Sequence, residues 1–429
     1  MFKAVAGYYK DNEWFRLLVK IMAVWLISRA VMLLMVPVMN LIADEPHQWL
    51  YYMNPWDAEW YKGIVELGYQ PPKSSGMASW AFFPLYPLVC RIVRIITMGS
   101  IDTYAIGMTV SNICIITAVY YAVKYADIEL DMKKYNKTTV ENIIIFLMLA
   151  GPFAVYYGAM YTEALFIMCV ILCFYNSARH NYMAAGIAAA MASATRIVGC
   201  MLVLVLITYM FMEACSECRA KHNTEDKADI MDKHVLTDEA GVLLDGNISL
   251  VSAVRTFIEN VIKEPKKLVA IMISPLGIFL YMNYLRHFCG DSWAFYHVQR
   301  AWRTQKMFPV IGVLFKSCTG QLTAASGVKT ANGIILGWLC VITLMLYAVM
   351  IKKKHYALGI FGIIVLLIPL TSSVMSTLRF IMGSFVIYIG VTEILAGCNR
   401  YVRYVIAALL SVFEVVIISA WYFWDGLLM

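Results

Sequence analysis

Long apolar segments recur along most of the chain and are separated by polar stretches. A transmembrane helix needs about 20 apolar residues to cross roughly 30 Å of hydrocarbon. By this measure the pattern predicts about eleven helical spans, and the two short segments between 182 and 213 can also be interpreted as one bent helix. The predicted spans are 20–43, 103–124, 141–158, 161–178, 182–195, 197–213, 268–288, 331–350, 356–373, 379–397 and 404–424.

Composition supports an all-α, polytopic helical bundle. Of the 429 residues, 61% are hydrophobic and only 15% are charged. A soluble protein is about 45–50% apolar and about 25% charged. A chain this apolar needs lipid as its solvent, and its length fits one membrane domain over 1–429.

The basic residues predict the orientation. Most Lys and Arg fall in alternate connections, which the positive-inside rule places in the cytoplasm together with the N-terminus. The first apolar segment is too long for a cleavable signal and is interpreted as a signal anchor. Residues 44–102 then form a large outer loop, 213–267 a polar cytoplasmic insertion and 289–330 a second outer loop. The outer loop is expected to hold surface helices at about 56–67 and 82–98, the second being amphipathic.

Two other classes are disfavoured. The net charge of +7 fits basic cytoplasmic loops, and no basic patch with interleaved aromatic residues indicates nucleic-acid binding. Cys215 and Cys218 form a C-x-x-C pair, but no second pair completes a metal site. No cofactor is predicted, although a divalent metal stays open because acidic residues lie close together in the first outer loop.

Candidate chemistry begins in that loop. Asp57 and Glu59 stand two positions apart between Trp56 and Trp60. Residues two apart do not share a helix face, so one acid can meet a substrate while the other pairs elsewhere. The aromatic side chains could stack on a sugar. An interfacial aromatic belt with solvated acids is the simpler alternative.

Further polar residues fall at predicted outer ends of spans, where basic residues should be scarce. For each, helix-dipole compensation, snorkelling or interfacial anchoring is an ordinary explanation. Together with the first-loop acids they suggest an anionic lipid phosphate as the ligand. Arg29, deeper in the first span, is expected to form a structural ion pair. The outer residues are Tyr161, Glu163, Arg196, His297, Arg300, Arg303 and Arg379.

The order of these motifs resembles a known family. The segments are WDAEWYKGIVELGY, FFPLYP, YYGAMYTEALF, ATRIVG, YHVQRAW and STLRF. They resemble the GPI mannosyltransferase II (PIG-V-like) family and its prokaryotic homologues, within the GT-C glycosyltransferases, from about residue 20 to about 390 apart from the insertion. The resemblance implies a catalytic acid in the first outer loop, matched by Asp57, and a polyprenyl- or dolichyl-phosphate-mannose donor. Trp60 departs from the pattern of eukaryotic members, which commonly carry a histidine near this position.

The resulting hypothesis is a membrane glycosyltransferase acting on the non-cytoplasmic face. Asp57 would be the general base for a lipid or glycan hydroxyl, and the arginines would stabilise the leaving phosphate. Glu59 and Glu163 would orient the acceptor or the arginines. The membrane would be the cell membrane in a bacterium or the endoplasmic reticulum in a eukaryote. A transporter or flippase of lipid-linked sugars and a noncatalytic assembly subunit remain alternatives, but polar residues clustered at one face favour an enzyme.

Overall fold

The computed structural model describes residues 12–43, 46, 48–227, 249–301, 309–321, 330–371, 374 and 376–423, with the backbone alone for 221–227. Within these ranges the protein is helical and contains no strand. The predicted all-α class is therefore confirmed. Arg303 lies outside the described residues, as do parts of the insertion and of the second outer loop.

The helices are numbered here in chain order. They are α1 Glu13–Asn40, α2 Trp49–Tyr52, α3 Asp57–Leu67, α4 Leu85–Ile96, α5 Thr103–Glu129, α6 Lys137–Leu149, α7 Glu163–Ala178, α8 Tyr182–Ser193, α9 Leu202–Lys227, α10 Leu250–Lys263, α11 Pro265–Ile273, α12 Leu276–Cys289, α13 Ala294–His297, α14 Val310–Cys318, α15 Thr330–Lys352, α16 Tyr356–Leu370, α17 Thr377–Gly383, α18 Val386–Gly397 and α19 Arg400–Tyr422. Short 3₁₀ turns occur at Ser79–Ala81, Ile197–Met201 and Val298–Ala301.

Five helices of the described chain are long and apolar enough to cross a bilayer: α1, α5, the helix over Ile197–Ala220, α15 and α19. The number rises to seven if two bent pairs each count as one span. These pairs are α11 with α12, bent by 43°, and α17 with α18, bent by 70°. Helices α7, α8 and α16 are apolar but shorter. Each of the eleven predicted segments contains helix, but crossings of that number are not confirmed.

One predicted span is broken. Within the segment 141–158 Pro152 predicts a bend or a break, and α6 indeed ends at Leu149, with turns up to residue 162 before Glu163 opens α7. Pro152 cannot continue a helix because it lacks an N–H and its ring clashes with the preceding turn. Hydropathy cannot detect this break, since the residues on both sides of it remain apolar.

Small residues let the central helices approach closely. A Cβ on Gly186 in α8 would lie 2.8 Å from the Cα of Ala270 in α11. A Cβ on Gly277 in α12 would lie 2.3 Å from the carbonyl oxygen of Ala190 in α8. Lipid tails are as apolar as leucine, so close packing of this kind, rather than apolar burial, holds membrane helices together. Helix α7 packs between α5 and α8 and begins with the buried acid Glu163.

Helices α3 and α4 occupy the two positions where surface helices were expected, and their place at a membrane surface stays a prediction. Helix α4 buries Tyr86, whose hydroxyl donates to the carbonyl of Gly107 at 2.8 Å, while Leu88 and Ile92 on its other face are exposed. Asp102 then starts α5, because its side chain accepts the free N–H groups of the first turn. These contacts fix α3 and α4 against α5, and thereby fix the start of α3, where Asp57 lies.

Candidate active site

Four predicted site residues stand at the beginnings of helical elements. Asp57 and Glu163 are the first residues of α3 and α7, Arg379 is the third residue of α17, and Arg196 directly precedes a 3₁₀ turn. Acidic side chains are favoured at helix N-termini because unpaired N–H groups and the helix dipole are positive there. Four segments that are distant in sequence thus bring charged groups to one place.

Arg379 joins the two acids. Its Nη1 donates to Oδ2 of Asp57 at 2.5 Å, and its Nε donates to Oε1 of Glu163 at 2.5 Å. The arginine side chain is 11% exposed, that of Glu163 is fully buried and that of Asp57 is 27% exposed. Of the two acids, Asp57 is therefore the one whose carboxylate a substrate could reach.

Arg196 supplies a second cation. Its Nη1 donates to the same Oε1 of Glu163 at 3.2 Å, while Oε2 of Glu163 is buried without a hydrogen-bond partner among the described residues. The guanidinium of Arg196 also lies over the rings of Phe166 and Phe380, 5.7 and 5.3 Å from their centroids. The ring contacts and the shared acid hold Arg196 beside Arg379. The resulting set, Asp57, Glu163, Arg196 and Arg379, is called the charged cluster below.

The charged cluster has formal charges that cancel, with two carboxylates and two guanidinium groups. Buried charges are tolerated only when each is paired and hydrogen-bonded, and removing one partner typically costs about 3–5 kcal/mol. An incoming phosphodiester adds a negative charge beside two arginines that already share one carboxylate oxygen. The two arginines could therefore exchange hydrogen bonds to the carboxylates for hydrogen bonds to a phosphate.

Aromatic side chains form one wall of the site. The hydroxyl of Tyr161 donates to the carbonyl of Pro55 at 2.6 Å, and Arg379 lies 5.0 Å from the centre of the Tyr161 ring. Trp421, near the end of α19, packs edge-on against Trp56 with ring centroids 5.4 Å apart and also contacts Tyr161. Sequence reasoning missed Trp421 as a site neighbour. A tryptophan at the predicted outer end of the last span was the available signal, but it is equally typical of an interfacial anchor.

Trp56 itself has an unusual backbone. Its φ of 49° lies in the left-handed region, which non-glycine residues seldom adopt. The kink immediately precedes Asp57 and starts α3 at the cluster. Backbone strain of this kind, costing about 1–3 kcal/mol, persists where surrounding structure enforces it. The ring of Trp56 packs against that of Trp421, which helps to hold this conformation.

Glu59 and Trp60 point to other partners. Glu59 accepts a short hydrogen bond from the hydroxyl of Tyr104 in α5. Trp60 stacks on Phe82 with ring centroids 5.6 Å apart, and the Nζ of Lys73 lies 4.5 Å above its ring. The expectation that two acids two positions apart would take different partners is met. Asp57, and not Glu59, is the first-loop acid that is paired with an arginine.

The predicted second outer loop contributes a separate exposed group of polar residues. His297 contacts Asp291 through Nδ1 and Oδ2, 2.7 Å apart, and this hydrogen bond holds the pKa of Asp291 below its ordinary value. Arg300 is exposed in the following 3₁₀ turn. The loop packs on the first outer loop, since a Cβ on Gly76 would lie 3.8 Å from that of Ala301. Phosphate binding by His297, Arg300 and Arg303 stays a prediction.

Among the described residues, no group of three or more His, Cys, Asp and Glu side chains is placed to hold a metal ion. Cys215 and Cys218 are both free thiols, and the sulfur of Cys218 contacts the hydroxyl of Thr256 at 3.2 Å. That the C-x-x-C pair binds no metal stays a prediction, and metal dependence of the chemistry stays open.

The fold and the cluster define a class: a polytopic helical membrane protein with paired acids and arginines in its interior. Residues 15–229 match the mannosyltransferase (PIG-V) family. The chain belongs to this family. The matched part runs from the first span through the outer loop to α9 and includes Asp57, Glu163 and Arg196. Arg379 lies beyond it. No curated protein matches the chain at a significant level.

Solved structures give a weaker similarity. The chain is similar to the oligosaccharyltransferase of Archaeoglobus fulgidus tethered to an acceptor peptide, at 12% identity and a TM-score of 0.45, covering 97% of this chain and 56% of that one. The same archaeal enzyme, AglB, in complex with an inhibitory peptide and a dolichol-phosphate gives 12% identity and a TM-score of 0.46, with the same coverage. The chain thus spans about half the length of these enzymes.

Proposed function

We propose that the protein is a membrane glycosyltransferase that moves a hexose, best taken as mannose, from a polyprenyl- or dolichyl-phosphate carrier to a hydroxyl of a lipid or glycan. The reaction would occur on the non-cytoplasmic face of a cell membrane, or of the endoplasmic reticulum in a eukaryote. The observation that carries the proposal is the charged cluster, in which Arg379 links Asp57 to Glu163. Membership of the mannosyltransferase (PIG-V) family supports the reaction class.

In this mechanism Asp57 is the general base. Its Oδ2 is bonded to Arg379, which leaves Oδ1 to take the proton of the acceptor hydroxyl. The acceptor oxygen then forms a bond to the anomeric carbon while the bond from that carbon to the phosphate oxygen breaks, and the lipid phosphate leaves with the electron pair. Proton transfer needs about 2.6–3.2 Å between the carboxylate and the hydroxyl. Direct displacement would invert the configuration at the anomeric carbon.

Arg196 and Arg379 would stabilise the leaving phosphate. Preorganised donors aimed at developing negative charge contribute most where water is excluded. Glu163 holds both guanidinium groups through one oxygen, so its role is to orient the arginines and not to bind the acceptor. A phosphodiester is already a leaving group and arginine can replace a cation, so the scheme requires no metal.

Apolar side chains of α1 and α19 border the site. They include Met32, Met35, Val36 and Ile418, and Trp421 belongs both to this apolar surface and to the aromatic wall next to Asp57. The space enclosed between these side chains is only about 10 Å³, the room of about one water. A carrier whose phosphate meets the arginines would therefore run along this surface and not inside the protein.

The test is sugar transfer in purified membranes supplied with radiolabelled polyprenyl-phosphate-mannose. Native protein is compared with Asp57→Asn at matched expression, with Asp131→Asn as a control, because Asp131 is exposed in the loop after α5. Label transfer by the native and control forms only would establish the enzyme and its base. The labelled product would identify the acceptor.

The other outcomes redirect the proposal. Equal transfer by the Asp57→Asn form would overturn the base assignment. Donor binding without transfer by any form would favour a transporter of lipid-linked sugars. That transporter would move labelled lipid across sealed vesicles, which a one-sided enzyme would not do.

A further inference from the structure

The segment 151–162 crosses the buried interior without forming a helix. At membrane depth, backbone groups that lack helical partners must be satisfied by neighbouring protein. Side chains from the loop before α3 and from α5 supply part of these hydrogen bonds. The side chain of Asn54 accepts from the N–H of Met160 at 2.7 Å, that of Ser111 donates to the carbonyl of Tyr161 at 3.3 Å, and that of Asn112 donates to the carbonyl of Gly158 at 3.5 Å.

Arg29 in α1 adds a charged support to the same segment. Its Nη1 donates to the carbonyl of Ala154 at 3.0 Å. The guanidinium also lies directly on Gly158, since a Cβ built there would come within 2.6 Å of Nη1. A structural ion pair was expected at Arg29, and the contact found within hydrogen-bond distance is with backbone instead. A Cβ at 158 would have to displace the end of the arginine side chain.

Glu414 in α19 is the acid that interacts electrostatically with Arg29, but no ion pair within 4 Å forms between them among the described residues. In the part of the chain that the structure describes, both carboxylate oxygens of Glu414 and the Nε and Nη2 of Arg29 are buried without hydrogen-bond partners. An intramembrane charge is expensive and is kept where it performs a role. Among the described residues, the one hydrogen bond from Arg29 to a backbone carbonyl goes to Ala154, in the segment that leads to Glu163.

We propose that Arg29 is a positioning residue for the charged cluster. Its contacts with Ala154 and Gly158 fix the segment 151–162, and the far end of that segment carries Tyr161 and Glu163 to Arg379. The sugar-transfer test of this inference rests on the proposed function, whereas the test by amide hydrogen exchange does not depend on it.

The experiment uses the full-length protein in nanodiscs with three variants. Arg29→Met removes the donors, Arg29→Lys restores one donor and the charge, and Gly158→Ala displaces the guanidinium without altering it. Gly312→Ala is the matched glycine control, because nothing lies within 4 Å of a Cβ at that position. Amide hydrogen exchange over 151–162 is measured without donor. The kcat and KM for mannose transfer are measured separately.

For Arg29→Met and Gly158→Ala we expect exchange over 151–162 to rise at least about tenfold, as loss of one charge-assisted hydrogen bond predicts. The kcat should fall about 10²-fold, the cost of a misplacement near 1 Å, with KM little changed. Arg29→Lys should recover most of both losses. If Arg29→Met does not fold, the comparison of Gly158→Ala with its control Gly312→Ala decides the test.

Unchanged exchange in a folded Arg29→Met or Gly158→Ala protein would overturn the inference, even if transfer were lost, because Arg29 would then act in some other way. Faster exchange with unchanged kcat would overturn it too, since the segment would not govern the cluster. Absence of transfer by the native protein would count against the proposed function alone, and the exchange comparison would still decide whether Arg29 holds the segment.

Discussion

Glu163→Gln tests the charged cluster most directly. Oε1 of Glu163 accepts from Nε of Arg379 at 2.5 Å and from Nη1 of Arg196 at 3.2 Å, in a fully buried position. Glutamine keeps the shape and one acceptor but removes the negative charge. A hydrogen bond to a charged group contributes about 1.5–3 kcal/mol, against about 1 for a neutral pair. Weakening two such bonds should cost about 1–4 kcal/mol of stability.

The assay is reversible unfolding in mixed micelles of SDS, with Glu259→Gln as control. Glu259 forms exposed pairs with Arg255 and Lys263, so its neutralisation should change stability by no more than about 0.5 kcal/mol. A double-mutant cycle of Glu163→Gln with Arg379→Met should show a coupling of at least about 1 kcal/mol, because the residues are in contact. Native-like stability of Glu163→Gln, or additive effects in the cycle, would refute the pairing described here.

Three further outcomes are expected. Burial alone would lower the pKa of His355, but hydrogen bonds and charge from Glu129 and Glu393 outweigh it and raise that pKa to about 9. Protonation of His355 should therefore stabilise the fold fully below a pH of about 6.5. The free energy of unfolding should fall by up to about 3 kcal/mol as the pH rises through 9. Unfolding measured against pH should show this loss in the native protein and not in His355→Gln. Trp421→Ala should cost about 3–5 kcal/mol in the same assay, because its buried ring packs on Trp56 and leaves a cavity, and Trp421→Phe should cost less. Transfer should survive dialysis against EDTA, and loss of activity restored by added Mg²⁺ or Mn²⁺ would refute the metal-free scheme.

The sequence predicted the helical segments well, because hydropathy follows burial in lipid. Asp57 and Glu59 do take different partners, as residues two apart on a helix must, and that one of them meets a substrate stays a prediction. It could not predict that Arg379 would pair with Glu163, 216 positions earlier. Nothing in local composition links the two, and snorkelling explained each outer arginine equally well. Trp421 was missed for the same reason, since one tryptophan at a span end has two ordinary explanations.

One break in the helices was predicted and one was not. Pro152 indicated a bend or break in the span after α6, and α6 ends at Leu149. The bend of 70° between α17 and α18 lies within an apolar segment that no proline marks. These breaks matter because a helix start offers free N–H groups and lets the chain change direction. Glu163 follows the first irregular stretch, Arg379 lies in α17 shortly before the bend, and their side chains meet, so that Arg379 bridges Glu163 and Asp57.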